Sequence, residues 1–142
     1  MNPPALAPTP IDGLILVTAG YTPTTHVHHP DSTFSRYFWT PSLGPTAYLA
    51  WSTIAAWLPD DDTPITVNHD ELAHGLGTAP GRLTKALARL ATFRLAYVDP
   101  TSPSTLQVKR RAPQLSPRQL ERLALRCPTL AACHDEHIHT AI

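Results

Sequence analysis

Three cations, Arg82, Lys85 and Arg89, recur three and four residues apart in PGRLTKALARLAT, and no carboxylate occurs between residues 79 and 97. On a helix turning about 100° per residue, Leu83, Leu87 and Leu90 form one narrow stripe with Ala86 beside it. The three cations fall on the opposite arc, together with Thr78, Gly81 and Thr92. An arginine so placed can grip guanine O6 and N7 together, while lysine or threonine can hold phosphate oxygens. Gly81 and Thr78 keep the start of the helix narrow enough for a major groove, and its free amides suit a phosphate. The competing account is a solvated basic face on a structural helix. Such a face ordinarily mixes signs, with Glu and Lys four residues apart; the acid-free arc favours contact with double-stranded DNA.

A second basic run, Lys109, Arg110 and Arg111, follows about twenty positions later, in a segment that alternates like a strand. On the return strand of a hairpin these cations could touch the DNA backbone or minor groove. Equally, they could be solubilising charges on a sheet edge. The intervening turn DPTSPS, residues 99–104, carries no cation.

Eight histidines and two cysteines raise metal chemistry. His26, His28 and His29 lie together in one loop, and Cys127, Cys133, His134, His137 and His139 bunch near the C-terminus. Zinc needs four tetrahedral ligands, usually paired at short spacings on two elements. No CxxC or HxxxH pair occurs, so packing cysteines and surface histidines are the expected account, with no metal and no cofactor. Nor is there a GxSxG, Walker A, GxGxxG or HExxH motif. His69, Asp70 and Glu71 are explained by a helix cap, and no catalytic residue is expected.

These residues need elements to position them. A chain of 142 residues, 42% hydrophobic and 15% charged, suits about one domain with its own core. The net charge of zero conceals a strong asymmetry. Residues 1–64 hold one arginine against five aspartates; residues 65–111 hold seven cations against three acids. The positive charge is thus concentrated where the two basic runs lie. The longest apolar runs are too short for a membrane span and the N-terminus lacks a basic signal-peptide region, so a cytoplasmic protein is expected.

Residues 1–10 are proline-rich, residues 11–18 could form a strand, and residues 19–44 read as irregular structure carrying an aromatic cluster. Residues 1–44 are therefore expected to be an arm that packs on the core or on a partner subunit. Residues 45–58 form a helix apolar on nearly all sides, which must be covered on nearly all sides. Residues 65–67 suit a short strand. Asn68 and Glu71 have the spacing of a capping box, opening a helix to about His74. Gly75 and Gly77 bracket a tight turn, and Pro80 suits the first position of the basic helix. Residues 93–98 and 105–111 then read as a hairpin. Ser116, Pro117 and Gln119 start a further helix, and residues 129–138 suit a last one.

The order is helix, strand, helix, turn, helix and hairpin. Accordingly ITVNHDELAHGLGTAPGRLTKALARLATFRLAYVD resembles the winged helix-turn-helix of bacterial transcription regulators. The span from FWTPSLGPTAYLAWSTIAAWL through VKRRAPQLSPRQLERL to AACHDEHI, about residues 38–138, is similar to a group of uncharacterised actinobacterial and actinophage helix-turn-helix proteins. The resemblance implies an α+β, mainly helical fold: a winged helix-turn-helix over residues 45–112 with a small β-hairpin wing, an N-terminal irregular or strand segment, and C-terminal helices over residues 113–142. It implies a sequence-specific regulator of an actinobacterium or its phage, with Arg82, Lys85 and Arg89 in the recognition positions. A homodimer is expected, joined through the 45–58 helix and the C-terminal helices. The rival expectation is a winged helix that docks on host transcription proteins, and a third is a replication or partition protein.

Overall fold

Strict alternation in LILVTA sets the strand on which the fold is organised: Ile15 and Val17 point into the core while Leu14 and Leu16 point out. A computed structural model describes residues 6–20 and 27–133. In chain order it contains β1 (Leu14–Ala19), β2 (Val27–His28), a π-helical turn (Ser35–Trp39), α1 (Thr40–Leu43) and α2 (Pro45–Trp57). Next come β3 (Ile65–Asn68), α3 (His69–Gly75), α4 (Pro80–Thr92), β4 (Ala96–Val98) and β5 (Thr105–Val108). The last elements are β6 (Ala112–Pro113), α5 (Pro117–Arg126) and α6 (Pro128–Ala132). The class is α+β.

β1 lies inside a mixed four-stranded sheet of order β3-β1-β5-β4. It pairs antiparallel with β3, parallel with β5, and β4 closes the sheet antiparallel to β5. The hairpin β4–β5 and the strand β3 are therefore not neighbours; β1 separates them. A second, two-stranded sheet pairs β2 with β6, Val27 opposite Pro113 and His28 opposite Ala112.

The stretch expected to be irregular between residues 19 and 44 contains ordered helix. Phe34, Phe38 and Trp39 are four and five positions apart, and the wider π-helical turn lets all three point into the core. Phe34 and Phe38 rings meet at 5.0 Å, and Trp39 stands edge-on to Phe93. Gly44, at φ 83°, both ends α1 and precedes Pro45 at the start of α2, a junction that a residue with a side chain would strain.

Helix α2 is the centre of the core: Ala47, Tyr48, Ala50, Trp51, Ile54 and Ala55 are buried around most of its circumference. Its cover is the chain itself, from α1, α4 and β5. Tyr48 donates its hydroxyl to Pro30 O at 2.5 Å, and burial, reinforced by Asp31, pushes its pKa up to about 12. Leu49 and Trp57 are the large apolar side chains that α2 leaves exposed.

Two tryptophans fix the path of the chain after β5. Trp51 Nε1 donates to Lys109 O at 2.8 Å, and Trp39 Nε1 donates to Pro113 O at 2.7 Å. β5 ends at Val108, the Lys109 N–H still bonds Leu95 O, and the chain then passes the two indoles and re-enters a sheet at β6. Residues 109–111, expected on a continuous return strand, lie in this connection. The strand expected from residue 93 likewise starts later. Phe93 caps α4 and Arg94 adopts φ 61°, which ends the helix before β4 begins.

Candidate nucleic-acid interface

The helical hairpin is built from local signals. Asn68 Oδ1 accepts the Glu71 N–H at 2.9 Å and starts α3. Of the two glycines expected in the turn, Gly77 takes a positive φ, 73°, whereas Gly75 remains helical. Thr78 N–H then bonds Ala73 O. Pro80 begins α4 with no N–H to satisfy, and the Arg82 and Leu83 N–H groups turn back to Ala79 O. Buried His69 at the start of α3 contacts Thr84 Oγ1 on α4 through Nε2 at 3.1 Å, locking the two helices together.

On α4, Leu83, Ala86, Leu87 and Leu90 are buried, so the apolar stripe lies where the sequence puts it. The eight candidate contact residues then separate into distinct surroundings. Gly81, Arg82 and Lys85 are exposed, and a side chain built at Gly81 would meet open space. Arg82 and Lys85 make no ion pair among the described residues. Arg82 borders an open hollow with His74, Gly77 and Ala79.

Thr78 departs from expectation. The residue is half-buried and lines the same hollow as Arg82, but its hydroxyl oxygen is buried, with no hydrogen-bond partner among the described residues. Arg89 departs further. Its Nε donates to Leu43 O at 2.7 Å and its Nη2 to Ser42 O at 2.6 Å, the last carbonyls of α1. Its guanidinium also lies 5.2 Å from the centre of the Phe93 ring. In this four-residue helix the Gly44 N–H satisfies Thr40 O, and a cation at the last carbonyls, Ser42 and Leu43, suits both hydrogen bonding and the helix dipole. Arg89 is thus a clasp between α4 and α1.

The second basic run is divided in the same way. Arg110 donates through Nη1 to Asp62 at 2.5 Å and through Nη2 to Asp60 at 3.1 Å, which neutralises it against the acidic turn after α2. Lys109 is partly buried beside Arg94, and burial followed by that neighbouring cation lowers its pKa. Arg111 is partly buried near His29, Ala55 and Asp60. In the hairpin turn, Asp99 accepts the Thr101 hydroxyl and amide, which hold its pKa below the usual carboxylate range.

Two groups of cations lie outside the two runs that the sequence singles out. Arg94 meets Lys109 at the edge of the sheet. Arg118, Arg122 and Arg126 sit four residues apart along α5, whose first turn is closed by a capping box between Ser116 and Gln119. Their spacing is visible in the sequence as one helical stripe, the same kind of signal that marks α4.

Among the described residues, no three or more His, Cys, Asp or Glu side chains gather as metal ligands. His26, His134, His137 and His139 lie outside the described residues, as does the end of the expected last helix. No helix of the described residues is long and apolar enough to cross a membrane. The chain matches no protein-family model, and no curated protein or solved structure is significantly similar to it.

Proposed function

We propose that the protein is a winged-helix-like, double-stranded DNA-binding regulator acting in the cytoplasm of an actinobacterium or its phage, with α4 as the reading helix. The observation that carries this reading is the exposed arc of α4: Arg82 and Lys85 project beside open Gly81, with no carboxylate between residues 79 and 97. Small neighbours let a duplex approach closely, and unpaired cations release counterions when they meet phosphates. The contact set is smaller than the sequence suggested. Arg82 and Lys85 lead it, Gly81 admits the backbone, and Arg111, Lys109 and Arg94 supply more distant charge. Arg89 and Arg110 are engaged by other parts of the fold, and the Thr78 hydroxyl is buried.

The test is binding to DNA fragments selected from a genomic library, followed by salt titration. Replacing both Arg82 and Lys85 by alanine should weaken binding about tenfold or more and flatten the salt dependence by about two phosphate contacts. Thermal unfolding should not move. Unchanged affinity in a folded double variant sinks the assignment.

A second reading, docking on a host transcription protein, is favoured by the open face of the sheet. Leu14, Leu16 and Tyr97 are exposed there, at 42%, 40% and 53%. The same face could join two copies of the chain in place of α2, whose circumference is mostly covered. In the salt titration, complexes held by this face would resist added salt.

A further inference from the structure

We infer that the cleft between the C-terminal half of α4, α1 and α5 binds a small organic oxyanion, a carboxylate or phosphate carried on a flat apolar body, held by Arg89, Arg122 and Arg126. The cleft has a volume of about 350 Å³, within the size range of small-molecule sites. All three arginines line it, and no carboxylate does. Arg122 and Arg126 make no hydrogen bond or ion pair among the described residues. Three like charges gathered around one hollow repel each other, and a bound anion reverses the sign of that interaction.

The arginines are also unequal in a useful way. The two carbonyls of α1 and the Phe93 ring fix the Arg89 guanidinium in place, leaving Nη1 without a partner among the described residues. A guanidinium already held in one plane loses little freedom on binding an oxyanion. Gln119 uses its side-chain oxygen to accept the Ser116 N–H at 2.8 Å, so the group it has left to offer the cleft is its amide NH2, a donor. Phe93 and Leu123 supply an apolar wall against which a ring can lie. Arginines, an amide donor and an aromatic ring together fit an anion with a flat body better than a bare ion. Such a ligand would bridge α4 and the C-terminal helices, and the site stands whether or not α4 reads DNA.

The test is calorimetric titration of the full chain, at low ionic strength, with AMP, benzoate and inorganic pyrophosphate. Saturable binding of AMP or benzoate at one site, with Kd below about 1 mM, is expected. Binding of AMP alone identifies the phosphate class, and binding of benzoate alone the carboxylate class. The double variant R122A/R126A should lose at least about tenfold in affinity, whereas Arg118→Ala, which removes a cation from the same helix outside the cleft, should not. Circular dichroism of each variant checks that α5 remains folded. Absence of saturable binding, pyrophosphate binding as tightly as both organic anions, or equal losses in R122A/R126A and Arg118→Ala would each overturn the inference. Because no DNA is present, failure here leaves the role of α4 untouched, and failure of DNA binding leaves this site untouched.

Discussion

The two basic runs look alike as sequence, three cations each within a few residues, yet the fold treats them differently. On α4 the helical period turns Arg82 and Lys85 outward, and one of the three, Arg89, is drawn onto α1. After β5 the chain is pulled inward by two indole hydrogen bonds, and its central cation, Arg110, is drawn onto Asp60 and Asp62. Cations carried by a helix whose opposite face is fully buried inherit a common direction. Cations in a connection take whatever direction the backbone anchors impose. Charge runs therefore need an element before they can be counted as a surface.

The sharpest way to break this contrast is to release the second run. Trp51→Phe removes the donor to Lys109 O and part of a fully buried side chain, and should cost about 3 kcal/mol in chemical denaturation. If stability barely changes, the tryptophan is not what holds residues 109–113. Next in size is the clasp. Arg89→Met keeps the apolar stem over Phe93 but loses both bonds to α1, and about 1 kcal/mol of stability should go with them. A loss of DNA affinity with unaltered unfolding would instead return Arg89 to the reading face. The smallest effect is expected at Arg110→Ala, whose exposed acidic partners limit the loss to less than about 1 kcal/mol, shrinking further in salt. DNA binding by this variant should equal that of the parent protein.

How much the sequence reveals depends on the range of the interactions involved. The cap at Asn68, the turn at Gly77, the leucine stripe of α4 and the capping box at Ser116 depend on neighbours within a few positions, and their residue types announce them. The direction of Arg89 depends on Ser42 and Leu43, and that of Arg110 on Asp60 and Asp62, which no local pattern reveals. The same holds for Thr78, whose polar type suggested a phosphate contact although the turn geometry buries its hydroxyl. Helix α2 was legible as a segment needing cover. The aromatic segment before it was legible as a candidate for that cover, but its ordered turn at residues 35–39 was not, because a π-helical spacing matches neither the helical nor the strand period.

The place of β1 bears on how the molecule comes to be folded. Val17 sits beside Leu106 in a parallel pair, and Ile15 faces Val67, so one early strand holds two halves of the sheet that lie far along the chain. Contacts of such long sequence separation form late, because their loop must be closed before they return any stabilisation. The hairpin of α3 and α4 can form from local contacts, but the sheet waits for residues as far apart as Leu14 and Val108. A fragment cut to the helix-turn-helix and its hairpin would lack its central strand. During synthesis, α4 acquires its rigid support only after β5 has left the ribosome.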